Sequence, residues 1–197
     1  MRKSTMTRST FVLVLTAALL LAGCQPSAPQ AQSFAGQATD SDAFVGIVNQ
    51  NGSLTAYVCD GTETAVNMAE WFNGSAANGA FDLTSADGAH LTGAITAQSV
   101  TGTMTQADGK TLAFSISPAS GNAGLYRAEQ TTGNGTYVGG WIVLASGDQR
   151  GAVSFQGTKG DSYLPVGGRV PVVRLAMPAQ PVVLQNQVKL TAAKVGG

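Results

Sequence analysis

This chain of 197 residues has one histidine, and only 11% of its residues carry charge. Each scarcity excludes something. A serine hydrolase moves protons through a histidine, yet His90 stands alone between Asp87-Gly88 and Leu91, and the Gly-x-Ser-x-Gly elbow is absent. His90 therefore reads as a solvent-facing residue at the start of a strand. No basic cluster concentrates positive charge on one face, which excludes a nucleic-acid partner. Beyond the N-terminal leader no apolar run reaches the roughly 20 residues of a spanning helix. Asp40-Ser41-Asp42 has a spacing that Ca²⁺ tolerates, but no glycine-bearing loop with a distal glutamate follows. Neither a metal nor a cofactor is expected.

What is present begins with the leader. Arg2, Lys3 and Arg8 form a positive start, Phe11 to Leu21 is apolar apart from Thr16, and Ala22-Gly23 are small. The apolar stretch is too short to cross a bilayer as a finished helix, so it reads as a secretory signal. Leu21-Ala22-Gly23-Cys24 resembles the lipobox of bacterial lipoproteins. That resemblance implies cleavage before Cys24 and acyl chains on Cys24, which becomes the first residue and the lipidation site. It also implies an extracytoplasmic protein anchored to the cell membrane or the outer membrane. With each buried CH₂ contributing about 0.8 kcal/mol, two or three chains anchor stably. A lipidated Cys24 leaves Cys59 without a partner, and Val58-Cys59 at the end of a strand-like run reads as a buried, inert thiol.

Removing 1–23 takes three bases with it and leaves eight bases against eleven acids, net −3. All the acids lie between Asp40 and Asp161, whereas Arg169, Arg174, Lys189 and Lys194 follow with no acid among them. The basic tail is expected to dock on the acidic body, contact with anionic lipid or cell-wall polymer being the alternative. The stretch from Gln25 to Gln37 is rich in Gln, Ala, Ser and Pro and reads as a tether. The organisation is thus a signal peptide at 1–23, lipidated cysteine and linker at 24–42, a β domain at 43–161, and a basic, proline-containing strap or set of edge strands at 162–197.

Turn dipeptides punctuate the body: Asn51-Gly52, Asp60-Gly61, Asn73-Gly74, Asn78-Gly79, Asp87-Gly88 and Asp108-Gly109, with further pairs at Gly121, Gly135, Gly147 and Gly160. Such pairs favour the tight primed turns of β-hairpins. Between them Phe81 and Leu83, then Val100, Gly102 and Met104, then Leu112, Phe114 and Ile116 alternate with polar or small residues. The pattern predicts an all-β fold, an antiparallel meander forming a barrel or sandwich. Val66 to Phe72 reads as a strand. Tyr137 to Leu144 is apolar on both alternations and reads as a central strand, its Gly139-Gly140 suggesting a bulge or a close backbone approach. Ala86 to Ile95 is echoed by Ala107 to Ile116 at an offset of 21 residues, either a duplicated hairpin or convergence on a common turn.

Three classes of function fit these residues. The leading expectation is a non-catalytic binding or structural module of the envelope, with Trp71, Tyr126 and Trp141 as candidate binding residues toward a cell-wall glycan or envelope protein. The second is a carbohydrate-active hydrolase drawing a carboxylate pair from Asp60, Glu63 and Glu70 beside Trp71. The third is a carrier of a small apolar ligand inside a barrel. Cys59-Asp60-Gly61, Gly124 to Glu129 and Gly140 to Leu144 are similar to stretches of uncharacterised secreted bacterial domains, which implies no activity.

Overall fold

The computed structural model describes residues 31–171, 174–177 and 180–197. Cys24 and the signal segment lie outside the described residues. The fold is all-β, with no helix among the described residues. Eight strands, β1 (Gln32–Gln37), β2 (Phe44–Gln50), β3 (Ser53–Cys59), β4 (Ala69–Ser75), β5 (Ala80–Thr84), β6 (His90–Ile95), β7 (Val100–Thr105) and β8 (Thr111–Pro118), form one antiparallel sheet in the order β4-β3-β2-β1-β8-β7-β6-β5. The sheet curls into a nearly closed barrel. At the β4/β5 seam, where ladder pairing stops, the backbone of Gly74 lies so close to Leu83 that an added Cβ would sit 2.5 Å from Cδ2.

The alternation in the sequence becomes the inside and outside of this barrel. Phe81, Leu83, Val100, Met104, Phe114 and Ile116 all point into one core with Phe34, Ile47, Leu54 and Phe72. Gly93 and Gly102 face each other across β6 and β7, and the rings of Phe81 and Phe114 lie over them. The glycines leave room for two rings where side chains would collide.

The turns split into two kinds. Asn51-Gly52 and Asn78-Gly79 hold positive φ at both residues, the primed geometry. Asp87-Gly88 and Asp108-Gly109 do not, and only the glycine is left-handed. There Ser85 N donates to Ala89 O and Gln106 N to Lys110 O, so both loops are three-residue turns closed by a glycine. The 21-residue echo contains this shared turn, which each time joins the two strands of a hairpin, β5–β6 and β7–β8. Asn73-Gly74 is no turn at all, since it lies inside β4.

Two other expectations are corrected. The linker expected through residue 42 ends earlier, because β1 pairs with β2 along its whole length and with β8 at Phe34 and Ala35. Its composition conceals a strand because Phe34 is its one large apolar side chain; pairing on both edges supplies the rest. Second, of the two readings of Gly139-Gly140 the bulge is excluded, since the pairing of its strand runs unbroken on both sides, while the close approach holds, with aromatic rings lying against both glycines.

The second sheet contains β9 (Gly124–Thr131), β10 (Gly135–Val143), β11 (Gln149–Gly157), β12 (Arg169–Pro171) and β15 (Ala193–Lys194), ordered β12-β11-β10-β9-β15, with a small hairpin of β13 (Val182–Val183) and β14 (Lys189–Leu190) beside it. As expected, β10 is central and buried on both faces. One face meets the barrel through Phe44, Val48, Tyr57, Cys59, Leu125 and Ile142. The other is covered by Leu164, Leu175, Val182, Leu184 and Leu190 over Tyr137, Trp141, Val153 and Phe155. Residues 162–197 therefore supply both edge strands of this sheet and the cover of its outer face.

Candidate functional site

The longest barrel connection, between β3 and β4, is shaped by Asp60. Its carboxylate accepts hydrogen bonds from the backbone N–H groups of Asn67 (2.9 Å) and Met68 (2.9 Å) and from Asn67 Nδ2 (3.1 Å). This holds the loop open as a rim. Gly61 seats the rim against the second sheet: Gly151 N donates to Gly61 O at 3.1 Å, and a Cβ on Gly61 would lie 2.2 Å from Gly151 O. Only glycine permits that approach.

Between rim and sheet runs a cleft of about 350 Å³, lined by Thr62, Glu63 and Thr64 on one side and by Trp141, Asp148, Gln149, Arg150 and Arg174 on the other. On the sheet side its polar groups are held in place. Arg150 donates to Asp42 O and to its neighbour Gln149 O, and stacks its guanidinium 4.6 Å from the centroid of Phe44. Gln149 exchanges hydrogen bonds with the backbone of Leu175 through both amide atoms. Arg174 donates to Gly147 O at 2.7 Å, while Glu63 is exposed at the opposite lip. Both charge signs and several neutral donors and acceptors thus face one space.

A second cluster occupies the barrel seam. Arg169 of β12 donates to Glu70 Oε1 of β4 at 2.9 Å and to Asp87 in the β5–β6 turn. One guanidinium therefore spans the gap between β4 and β5 from outside, and it is the basic tail docking on the acidic body. Glu70 is nearly buried, and the Arg169 Nη2 that bonds it also reaches Asp87, so one nitrogen bridges the two carboxylates.

The three aromatic candidates do not converge. Trp71 stacks on Tyr57 with ring centroids 4.3 Å apart, and Arg127 covers it at 4.4 Å, on the barrel-facing side of the second sheet. Tyr126 and Trp141 are neighbours across β9 and β10 on the outer side, both buried, and the Tyr126 hydroxyl donates to Asn122 O. The cleft meets the edge of Trp141 alone. The glycines at 139 and 140 explain the packing: the Trp141 ring lies over Gly139, and the Tyr57 and Trp71 rings press on Gly140.

The carboxylates considered for hydrolysis hold structural roles: Asp60 shapes the rim and Glu70 pairs with Arg169. His90 is exposed with its Nδ1 3.3 Å from Thr84 Oγ1. Cys59 is fully buried, accepts a hydrogen bond from Gly61 N, and burial pushes its thiol up to about 11, so it stays protonated at neutral pH. Barrel core side chains, among them Phe34, Phe72, Leu91 and Met104, fill the interior that an apolar ligand would need. No family model matches the chain, and neither the curated proteins nor the solved structures contain a match.

The cleft residues Thr62, Thr64, Asp148, Gln149, Arg150 and Arg174 escaped the sequence reading. They come from three distant segments and form no local pattern. The Asp60-Gly61 pair was the available signal, and it marks the rim instead of a tight turn.

Proposed function

We propose that this is a lipid-anchored extracytoplasmic envelope protein that works as a non-catalytic binding module. The leader and Cys24 supply the anchor, and the cleft between the Asp60–Met68 rim and β11 supplies the binding site. The observation that carries the reading is the lining of that cleft, where Glu63 and Arg174 face a shared space with Thr62, Thr64 and Gln149. Charged groups of both signs with neutral donors and acceptors between them suit a hydroxyl- and amide-rich ligand, and among envelope components a cell-wall glycan fits that chemistry. Asp60 and Glu70, held by structural bonds, favour binding over hydrolysis.

The test has two parts. Wild type should fractionate with membranes and Cys24→Ala with the soluble proteins. The purified body should bind cell-wall glycan fragments without turning them over, and Arg174→Ala and Glu63→Ala should weaken binding while leaving the thermal transition unchanged. Equal partitioning of both proteins overturns the anchor; release of cleaved glycan overturns the non-catalytic reading.

A further inference from the structure

An antiparallel meander puts alternate connections at opposite ends of its barrel, and here the two ends differ in charge. At one end lie Gln50–Ser53, Ser75–Ala80, Ile95–Val100 and the Pro118–Gly124 link to the second sheet, and none of these stretches contains an ionisable side chain. At the other end every connection carries acid: Asp40 and Asp42 between β1 and β2, Asp60 and Glu63 between β3 and β4, Asp87 between β5 and β6, and Asp108, paired with Lys110 at 2.8 Å, between β7 and β8. The second sheet follows the same axis. Its β15 edge lies at the neutral end, where Lys194 Nζ donates to Gly121 O at 2.8 Å, and its β12 edge lies at the acidic end, where Arg169 meets Asp87.

The described chain enters at the neutral end. Gln32 pairs with Asn49, and a Cβ on Gly196 would sit 2.8 Å from Ala31 Cβ and from Val48 Cγ1. We infer that this neutral end, bordered by Lys194, is the surface that rests on the phospholipid headgroups, with the acidic end and the cleft directed away from the bilayer.

The inference rests on lipidation of Cys24. From Cys24 to Ala31 the chain can reach at most about 25 Å when fully extended. A barrel strand of this length spans about 20 Å. With the neutral end down, the connection is slack. With the acidic end down, the chain would have to run nearly taut along the barrel wall, at a cost in conformational entropy. Electrostatics act in the same direction. Anionic headgroups repel carboxylates within about a Debye length, roughly 8–10 Å, so acids placed a barrel's length away escape the repulsion. The opposite orientation would press Asp40, Asp42 and Glu63 toward like charge, Asp87 and Asp108 being paired with Arg169 and Lys110.

The experiment uses the full-length lipidated chain in vesicles of phosphatidylethanolamine and phosphatidylglycerol. A fluorophore is attached to Gln98→Cys at the neutral end or to Asp108→Cys at the acidic end, both positions being exposed. Cys59 is buried and stays unlabelled. A nitroxide on the lipid headgroup should quench the probe at 98 several-fold more than the probe at 108. Equal quenching, or stronger quenching at 108, overturns the orientation. Flotation of the unlabelled wild-type chain on the same vesicles separates the two readings: a chain that fails to float overturns lipid anchoring and the orientation together, whereas one that floats with equal quenching overturns the orientation alone.

Discussion

The barrel and the second sheet bury apolar surface in different ways. Each barrel strand gives one face to an interior built from residues 34–116, so the barrel encloses its own core. The second sheet has no inside. It is buried on both faces by other parts of the chain, the barrel wall on one and residues 164–192 on the other. The barrel thus depends on internal volume, and the second sheet depends on being sandwiched. Substitutions should separate the two.

The largest effects are expected in the cores. Phe72→Ala removes a ring from the barrel interior and Trp141→Ala removes the largest side chain under the cover of the second sheet. Each should cost about 3–5 kcal/mol in denaturant titrations. Hydrogen exchange sharpens the contrast: Trp141→Ala should loosen β9 to β12 and residues 164–192 first, and Phe72→Ala the barrel amides first. Identical exchange patterns in the two variants would show that the molecule has one cooperative core.

Next comes Gly93→Ala, whose Cβ would lie 2.3 Å from Thr101 O and 2.7 Å from Phe81 Cζ. Backbone cannot yield as a side-chain tip can, so a loss of about 1–3 kcal/mol is expected. Gly88→Ala is a poor control despite its open surroundings, because its φ is +84°. Glu70→Ala tests the joint between the two regions. It leaves the buried part of the Arg169 guanidinium with Asp87 alone, and about 2 kcal/mol should be lost, with faster exchange of β4 and β5 amides.

The smallest effect is a pH dependence in the cover. Asp161 accepts hydrogen bonds from the backbone of Leu164 and Tyr163 and from Asn186, with the Tyr137 hydroxyl beside it. The Leu164 N–H foremost holds its carboxyl below the usual carboxylate range. A group whose folded value is depressed stabilises above its unfolded value and loses that contribution as pH falls through the folded one. The melting temperature of wild type should therefore exceed that of Asp161→Asn at pH 7, and the gap should narrow on acidification below the ordinary carboxylate range. A gap that stays constant would mean that Asp161 acts by shape alone.

The same contrast explains what could be read from the sequence. Barrel strands bury one face, so Phe81 with Leu83, and Val100 with Met104, announce themselves by period two. The strand β10, buried on both faces, also shows itself, as a continuous apolar run. Strand β1 does not, because Gln32, Ser33, Ala35 and Gln37 follow no apolar period and the strand is specified by the edges of β2 and β8. The candidate cleft was hidden for a related reason. Trp71, Tyr126 and Trp141 attract notice as aromatics, yet packing consumes them, while the cleft is built from ordinary polar residues that only the contact of Gly61 with Gly151 brings opposite one another.

Strand β1 also sets an order of events in folding. It is the first stave of the barrel in the chain and pairs with the last, Ala35 opposite Ser117. Hairpins such as β5–β6 can zip locally, but closure beside β1 waits until the whole barrel sequence is present and its ends have met. A chain delivered N-terminus first therefore keeps one edge unpaired until late in delivery, and the closing step should set the pace of folding.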